Sequence, residues 1–252
     1  MLGWRTKTQA TPVARVPDGT RLYAIGDIHG RDDLLERLLQ AILRDAASAA
    51  AGMRRVLLYV GDYVDRGLAS RQVIERLLAP PPEPFETVHL LGNHEEAFLD
   101  FLAGEPVAFD WFRYGGLETL YSYEVPVTRQ PGHPIDVEEM RRRALEAVPA
   151  AHVAFLQACK LWHVEGDYAF VHAGVRPGIP LEQQRRQDLL WIRDEFLSST
   201  RDHGSKIVVH GHTICRQPEV RANRINIDTG AYASGRLTCL VLEGDTRRFL
   251  HT

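Results

Sequence analysis

VLLYVGDYVDRG, residues Val56–Gly67, decides how this chain folds. Its apolar run Val56–Val60 is short and closed by Gly61, which reads as a buried strand ending in a turn. The loop then presents Asp62, Asp65 and Arg66, and a helix follows with Val73, Ile74, Leu77 and Leu78 on its apolar face. The proline-rich run Pro80–Pro84 stops that helix. Upstream, RLYAIGDIHG (Arg21–Gly30) repeats the plan: a strand, a glycine turn with Asp27 and His29, then a helix. That helix carries Leu34, Leu35, Leu38, Leu39, Ile42 and Leu43, with Asp32 as its expected N-cap and the alanine-rich Ala46–Ala51 as its end. Downstream, Thr87–Leu91 is a third strand ending at Gly92. Strand, loop and helix in alternation predict an α/β fold on a mostly parallel or mixed sheet.

From about Glu95 to Val164 the pattern turns helical, with a Pro-Gly loop at Gln130–Pro134. Strands resume at Tyr168–Val171, Lys206–Val209, Arg224–Ile227, Leu237–Leu242 and Arg247–Leu250. The middle is therefore expected to be a helical insertion, about residues 96–165, within one domain over 18–252. The polar first 17 residues, without the apolar run of a signal peptide, read as a loose tail. Among 252 residues, 44 % are hydrophobic and 25 % charged, an ordinary globular composition. A net charge of −3 gives no field for nucleic acid, and no stretch is apolar enough to span a membrane. Cys159, Cys215 and Cys239 form no CxxC pair, which suits reduced thiols and a cytoplasmic location.

Five inferred strands run into loops rich in acids, histidines and amides: Gly26–Gly30, Gly61–Gly67, Gly92–Glu95, His172–Gly174 and His210–Thr213. Ligand sites in open α/β sheets gather at such carboxyl ends. Asp27 and His29, two residues apart in an extended strand end, would leave on one side and reach one ion. A carboxylate with an imidazole suits a divalent first-row metal. Asp62 can bridge two ions, and Asn93, His172 and either His210 or His212 can complete the second. Two carboxylates against two divalent ions leave a cationic hole that attracts phosphate. Such ions, roughly 3.5–4 Å apart, can share a hydroxide and stabilise an in-line displacement. His94 beside Asn93 would then face substrate as general acid, held in its tautomer by Asp65. Arg66 offers a bidentate fork to phosphate, and Arg193 in LLWIRDEF would close the other side.

In this order and spacing, GDIHG, GDYVDRG, GNHE, HAG and GHT resemble the phosphoprotein phosphatases of the calcineurin-like metallophosphoesterase superfamily. The resemblance is to the bacterial and phage branch, which holds bacteriophage lambda protein phosphatase and diadenosine tetraphosphate hydrolases. It implies a βαβ sandwich of two mixed sheets flanked by helices, with a dinuclear centre. Carried over, Asp27 and His29 bind one metal, Asp62 bridges, and Asn93, His172 and His212 bind the other. His212 is chosen over His210 because the family's ligand follows glycine in the GH pair; His210 and Asp228 are expected to support the ligands from behind. The implied ions are divalent, manganese first, with iron, zinc or nickel as alternatives. His94, Asp65 and Arg66 would be the catalytic group, with Arg66 and Arg193 as phosphate clamps. The loop NIDTGAYASGRL (Asn226–Leu237) and the segment WFRYGGLETLYSYEV (Trp111–Val125) also resemble this branch, and the SAPNY-type loop of eukaryotic members is missing.

The expected activity is a phosphomonoesterase on phosphoproteins, Ser/Thr first and Tyr second, or on small phosphoesters. The alternatives are a diadenosine polyphosphate hydrolase, which would favour extra basic groups around its groove, and a silent phospho-ligand binding module. Phe109, Trp111, Phe112, Tyr114, Tyr121 and Tyr123 are expected mainly to pack the insertion, and Arg141–Arg143 to form a solvated helix face. His89, His133, His152, His163, His203 and His251 have no motif context and are expected at the surface or satisfied in the core.

Overall fold

Every residue of Thr20–Ile25 is buried, as a strand covered on both faces requires. Leu22 and Ala24 point one way and Tyr23 and Ile25 the other, each into a different apolar cluster. The computed structural model describes residues 13–81, 85–126 and 135–252. Its strands are β1 (Thr20–Ile25), β2 (Arg54–Tyr59), β3 (Phe85–His89), β4 (Trp162–Glu165), β5 (Tyr168–Val171), β6 (Ile207–His210), β7 (Glu219–Val220), β8 (Arg224–Asn226), β9 (Thr238–Glu243) and β10 (Thr246–His251). The helices are α1 (Asp32–Ala46), α2 (Ser70–Leu78), α3 (Asn93–Ala103), α4 (Ala108–Trp111), α5 (Leu117–Ser122), α6 (Val137–Ala147), α7 (Ala150–Ala158), α8 (Arg186–Trp191), α9 (Asp194–Leu197) and α10 (Ala231–Ser234).

The strands form two mixed five-stranded sheets, ordered β10-β9-β1-β2-β3 and β4-β5-β6-β8-β7. β1, β2 and β3 run parallel in the first, and β5, β6 and β8 in the second. Leu22, Ala24, Val56, Leu58 and Leu240 of the first sheet pack on Tyr168, Phe170, Val209 and Ile225 of the second. Each large side chain so buried contributes roughly 1.5–3 kcal/mol. The outer face of the first sheet carries α1, α2 and the insertion, and Phe196 with Leu189 covers Val171 and Val208 on the second. This is the expected sandwich of two mixed sheets flanked by helices.

Local expectations differ at several points. Asp32 is the first helical residue and caps nothing; Arg31 precedes the helix, and the Asp32 carboxylate accepts from Arg76 at 2.5 and 2.8 Å. α1 stops at Ala46, so residues 47–51 lie outside the helix. Leu43 and Leu78 are exposed edges of their helices. α2 ends where Ala79, ahead of Pro80, turns extended; residues 82–84 of the proline-rich run lie outside the described residues, as do 1–12 and the whole 130–134 loop with His133. The insertion is helical only as far as Ala158, because Trp162–Glu165 pairs with β5. In the described part of the tail Val16 is fully buried and its N–H donates to the Gly244 carbonyl at 3.0 Å, while Val13, Arg15 and Pro17 are exposed. No helix among the described residues is long and apolar enough to cross a membrane.

Candidate metal centre

The carboxyl ends of the parallel strands meet at one edge of the sandwich, and their loops are laced by backbone hydrogen bonds. Ile28 and His29 both donate to the Asp62 carbonyl, at 3.0 and 2.8 Å, and Gly30 donates to Tyr63 at 2.8 Å. Glu95 binds the second loop to the third: its two oxygens accept from the N–H groups of Asp62, Tyr63, Val64 and Gly92 at 2.7–3.1 Å. Burial and Asp62 push its carboxyl up to about 8, while those N–H donors favour the ionised form. His29, Asp62, Asp65, Arg66 and His212 all have φ between 48° and 72°. Left-handed backbone at non-glycine residues costs about 1–2 kcal/mol each, and here it is concentrated around one site. Asp27 and His29 therefore do not share a face by strand alternation; a left-handed turn at His29 aims its ring.

Two groups of buried side chains could each hold a metal ion: His29, Asp62 and His94, and Asp62, His172 and His212, with ligand atoms within 4.8 Å of one another. Asp62 belongs to both. The donor atoms fit cations. His29 Nδ1 lies 2.9 Å from the Val64 carbonyl and His172 Nδ1 lies 3.0 Å from that of Val60, so each ring is protonated there and presents a lone pair at Nε2. Those Nε2 atoms face Asp62 oxygens at 3.4 Å, and His172 Nε2 faces Asn93 Oδ1 at 2.9 Å. Acceptors turned toward acceptors call for a cation between them. Asp27 lies outside both groups, accepts from the His212 N–H at 2.9 Å, and has a buried Oδ1 with no hydrogen-bond partner. Gly211 has no side chain because a Cβ there would collide with that oxygen.

Burial, with Asp228 and Asp62 nearby, pushes Asp27 well above the carboxylate range. Burial would also raise Asp62, but His172, His94, His29 and His212 around it hold it low. Burial lowers His29 and His172, and lowers His212 to about 2, so these rings are neutral. His94 goes the other way: burial lowers it, but Asp62 and the hydrogen bond to Asp65 prevail and raise it.

His94 Nδ1 is 2.6 Å from Asp65 Oδ2, and its Nε2 is 3.3 Å from Arg66 Nη2. Asp65 is itself held by the insertion. Trp111 Nε1 donates to Oδ2 at 2.8 Å and Thr119 Oγ1 to Oδ1 at 2.6 Å. Arg66 lies 4.6 Å over the Tyr232 ring, and Arg193 donates to the His212 carbonyl and Thr213. Among the described residues neither arginine pairs with a carboxylate, so both guanidinium groups are available to an anion. They line a cleft of about 560 Å³ with Asn93, His94, Tyr114 and Trp191. Its farther walls carry Glu96, Asp100 and Asp110. Of the insertion's aromatics, Trp111, Phe112 and Tyr123 are packed as expected, while Phe109, Tyr114 and Tyr121 are exposed.

His210 is buried edge-on to Phe196 at 5.0 Å and joins neither metal group. Asp228, pushed up to about 6 by burial, adjoins Asp27 and accepts from Gly230 at 2.8 Å. Sequence reasoning missed Glu95, Trp111, Thr119 and Tyr232. Glu95 alone had a local signal, since it completes GNHE; the others act through contacts made only on folding.

The profile of the calcineurin-like phosphoesterases matches residues 20–224. The asymmetrical bis(5'-nucleosyl)-tetraphosphatase PrpE of Bacillus subtilis is 26 % identical over 231 residues, covering 85 % of this chain and 87 % of that protein. Serine/threonine-protein phosphatase 2 of Salmonella typhimurium is 29 % identical over 228 residues, covering 86 % and 90 %. Among solved structures, one provisionally described as a diadenosine tetraphosphatase aligns with a TM-score of 0.59 at 20 % identity, over 95 % of this chain and 98 % of that one. At that identity the structural likeness bears on fold alone.

Proposed function

Because the chain belongs to the calcineurin-like phosphoesterase family, we propose that it hydrolyses bis(5'-nucleosyl) tetraphosphates asymmetrically, into a nucleoside triphosphate and a monophosphate. The observation that carries this reading is the cleft beside His94, which has room for a nucleotide and exposes the aromatic faces of Trp191 and Tyr114. The tetraphosphatase relatives along most of the chain support it.

Asp27, His29, Asp62, Asn93, His172 and His212 would hold two divalent ions, manganese first. When bound, such ions polarise phosphoryl oxygens and acidify a water. The remaining steps belong to side chains. Arg66 and Arg193 grip the phosphoryl oxygens from two sides. Asp65 fixes the Nδ1–H tautomer of His94 and raises its basicity, so that protonated Nε2 can hand a proton to the departing oxygen. Glu95 keeps the Asp62 loop in its strained shape. The free cysteines support a cytoplasmic setting.

A second reading, phosphoprotein phosphatase, is favoured by the carboxylates on the cleft's far walls, where extra basic groups were expected for a polyphosphate, and by the Salmonella relative. The two separate by kcat/KM with manganese: diadenosine tetraphosphate should exceed every member of a phosphoserine, phosphothreonine and phosphotyrosine peptide panel by at least about tenfold. A peptide ahead of the dinucleotide would transfer the assignment to the second reading.

A further inference from the structure

An in-line displacement at phosphorus places the entering and departing oxygens on opposite faces. As general acid, His94, tied to Asp65 through Nδ1, would mark the departing side, and it lines the cleft. It runs along α3 past Asn93, Ala97 and Asp100, which lie on one helix face three or four residues apart. Whatever leaves phosphorus occupies this space.

Its walls describe the occupant. Trp191 Nε1 donates to Glu96 Oε2 at 2.8 Å, and the other Glu96 oxygen accepts from Arg186 at 2.6 Å. The indole also meets the His212 ring edge-on at 6.3 Å and remains 39 % exposed. A ring pinned by its polar edge with a face left open is a platform for a planar group. The cationic groups, Arg66 and Arg193, stand at the phosphorus end, whereas Asp100 and Asp110 lie beyond. Burial first, then the neighbouring Glu96 and Glu105, push the Asp100 carboxyl upward, against the opposing charge of Arg186.

Resting on the tetraphosphatase reading, the geometry points to a nucleoside monophosphate as the leaving group, with its base on Trp191. In bond terms, the water oxygen attacks the phosphorus second from one end of the chain. The bond from that phosphorus to the oxygen shared with the end phosphate breaks. That oxygen departs with the monophosphate and takes the proton from His94, and the new P–O bond stays on the triphosphate. Attack at the end phosphorus would instead drive three phosphates into a space walled by carboxylates. The acidic wall thus selects which half of the substrate enters.

The test is hydrolysis of diadenosine tetraphosphate in H2(18)O by the manganese-loaded protein, with mass spectrometry of the products. The label is expected in ATP and not in AMP. Label in AMP, or two molecules of ADP, overturns the leaving-group assignment and leaves the tetraphosphatase reading standing in its coarser form; no cleavage at all removes that reading itself. The platform is tested separately. In Trp191→Ala the ratio of KM for diadenosine tetraphosphate to KM for phosphoserine should rise about tenfold, the scale of one base stacked on an aromatic ring. Trp191→Phe, which keeps a ring, should bring the ratio back to within about twofold of the starting protein. An equal change on both substrates, or no recovery with Phe, overturns the platform.

Discussion

Asp65 is completely buried and spends both carboxylate oxygens on neighbours: Trp111 and His94 share one, Thr119 takes the other. Thr119→Val keeps the shape but strips a donor from a buried charge, which should cost about 1–3 kcal/mol of stability and lower kcat with little change in KM; denaturant melts and steady-state kinetics check both. His94→Ala should lower kcat by about 10²–10⁴-fold for poor leaving groups and much less for p-nitrophenyl phosphate, whose phenolate needs little protonation; equal losses would remove the general-acid role. That His29, Asp62, His94, His172 and His212 gather at strand ends was legible in the sequence, because the fold delivers such loops to one edge, but the sequence paired Asp27 with His29 where the structure groups His94 with it. Trp111 and Thr119 were not legible, because an indole and a hydroxyl carry no chemistry of their own until docking brings them to a carboxylate.

The π-turn over residues 112–116 carries the insertion onto the loop Gly61–Gly67. Gly115, at φ 108°, brings its carbonyl to the Arg66 N–H at 3.3 Å, and any Cβ there would collide with the Arg66 backbone. Gly115→Ala should therefore lower Tm by several degrees, roughly 1–3 kcal/mol of strain, and weaken phosphate binding through Arg66. A melt and the Ki of inorganic phosphate measure the two effects. At this scale the sequence conveyed the alternation of strand and helix well, because β1 and β2 are fully apolar at their centres. It failed at β4, whose three half-buried residues and buried Glu165 follow a helical stretch closely and gain strand identity only from pairing with β5. Asp32 failed as a cap for a similar reason: Arg76, distant in sequence, claims its carboxylate.

Stability of the whole molecule should depend on pH through His89. Its ring stacks on Tyr59 at 5.0 Å and meets Phe155 edge-on, and burial lowers it to about 4. An unfolded histidine titrates near 6.5, so between about pH 6.5 and 4 the unfolded chain binds a proton that the folded chain refuses. Folding stability falls as pH drops through that window, by up to roughly 3 kcal/mol, and is unaffected by this group above it. His89→Phe should flatten the dependence, seen as a smaller loss of Tm between pH 7 and pH 4.5; an unchanged slope would show that another group governs it. Removing metal with a chelator should lower Tm as well, since ions that bind only the folded state stabilise it by mass action.

Asp27, His29, Asp62 and Asn93 follow strands of one sheet, while His172 and His212 follow strands of the other. Cations gripped by both sets would act as a rivet through one rim of a two-leaved book, whose spine is oily contact with a few polar ties such as Arg54–Glu165 and Arg247–Tyr168. Pulling the rivet should let the leaves part from that rim first, so amide exchange in demetallated protein should quicken at Val60, Leu91 and Gly211 well before it does at Leu22 or Leu242.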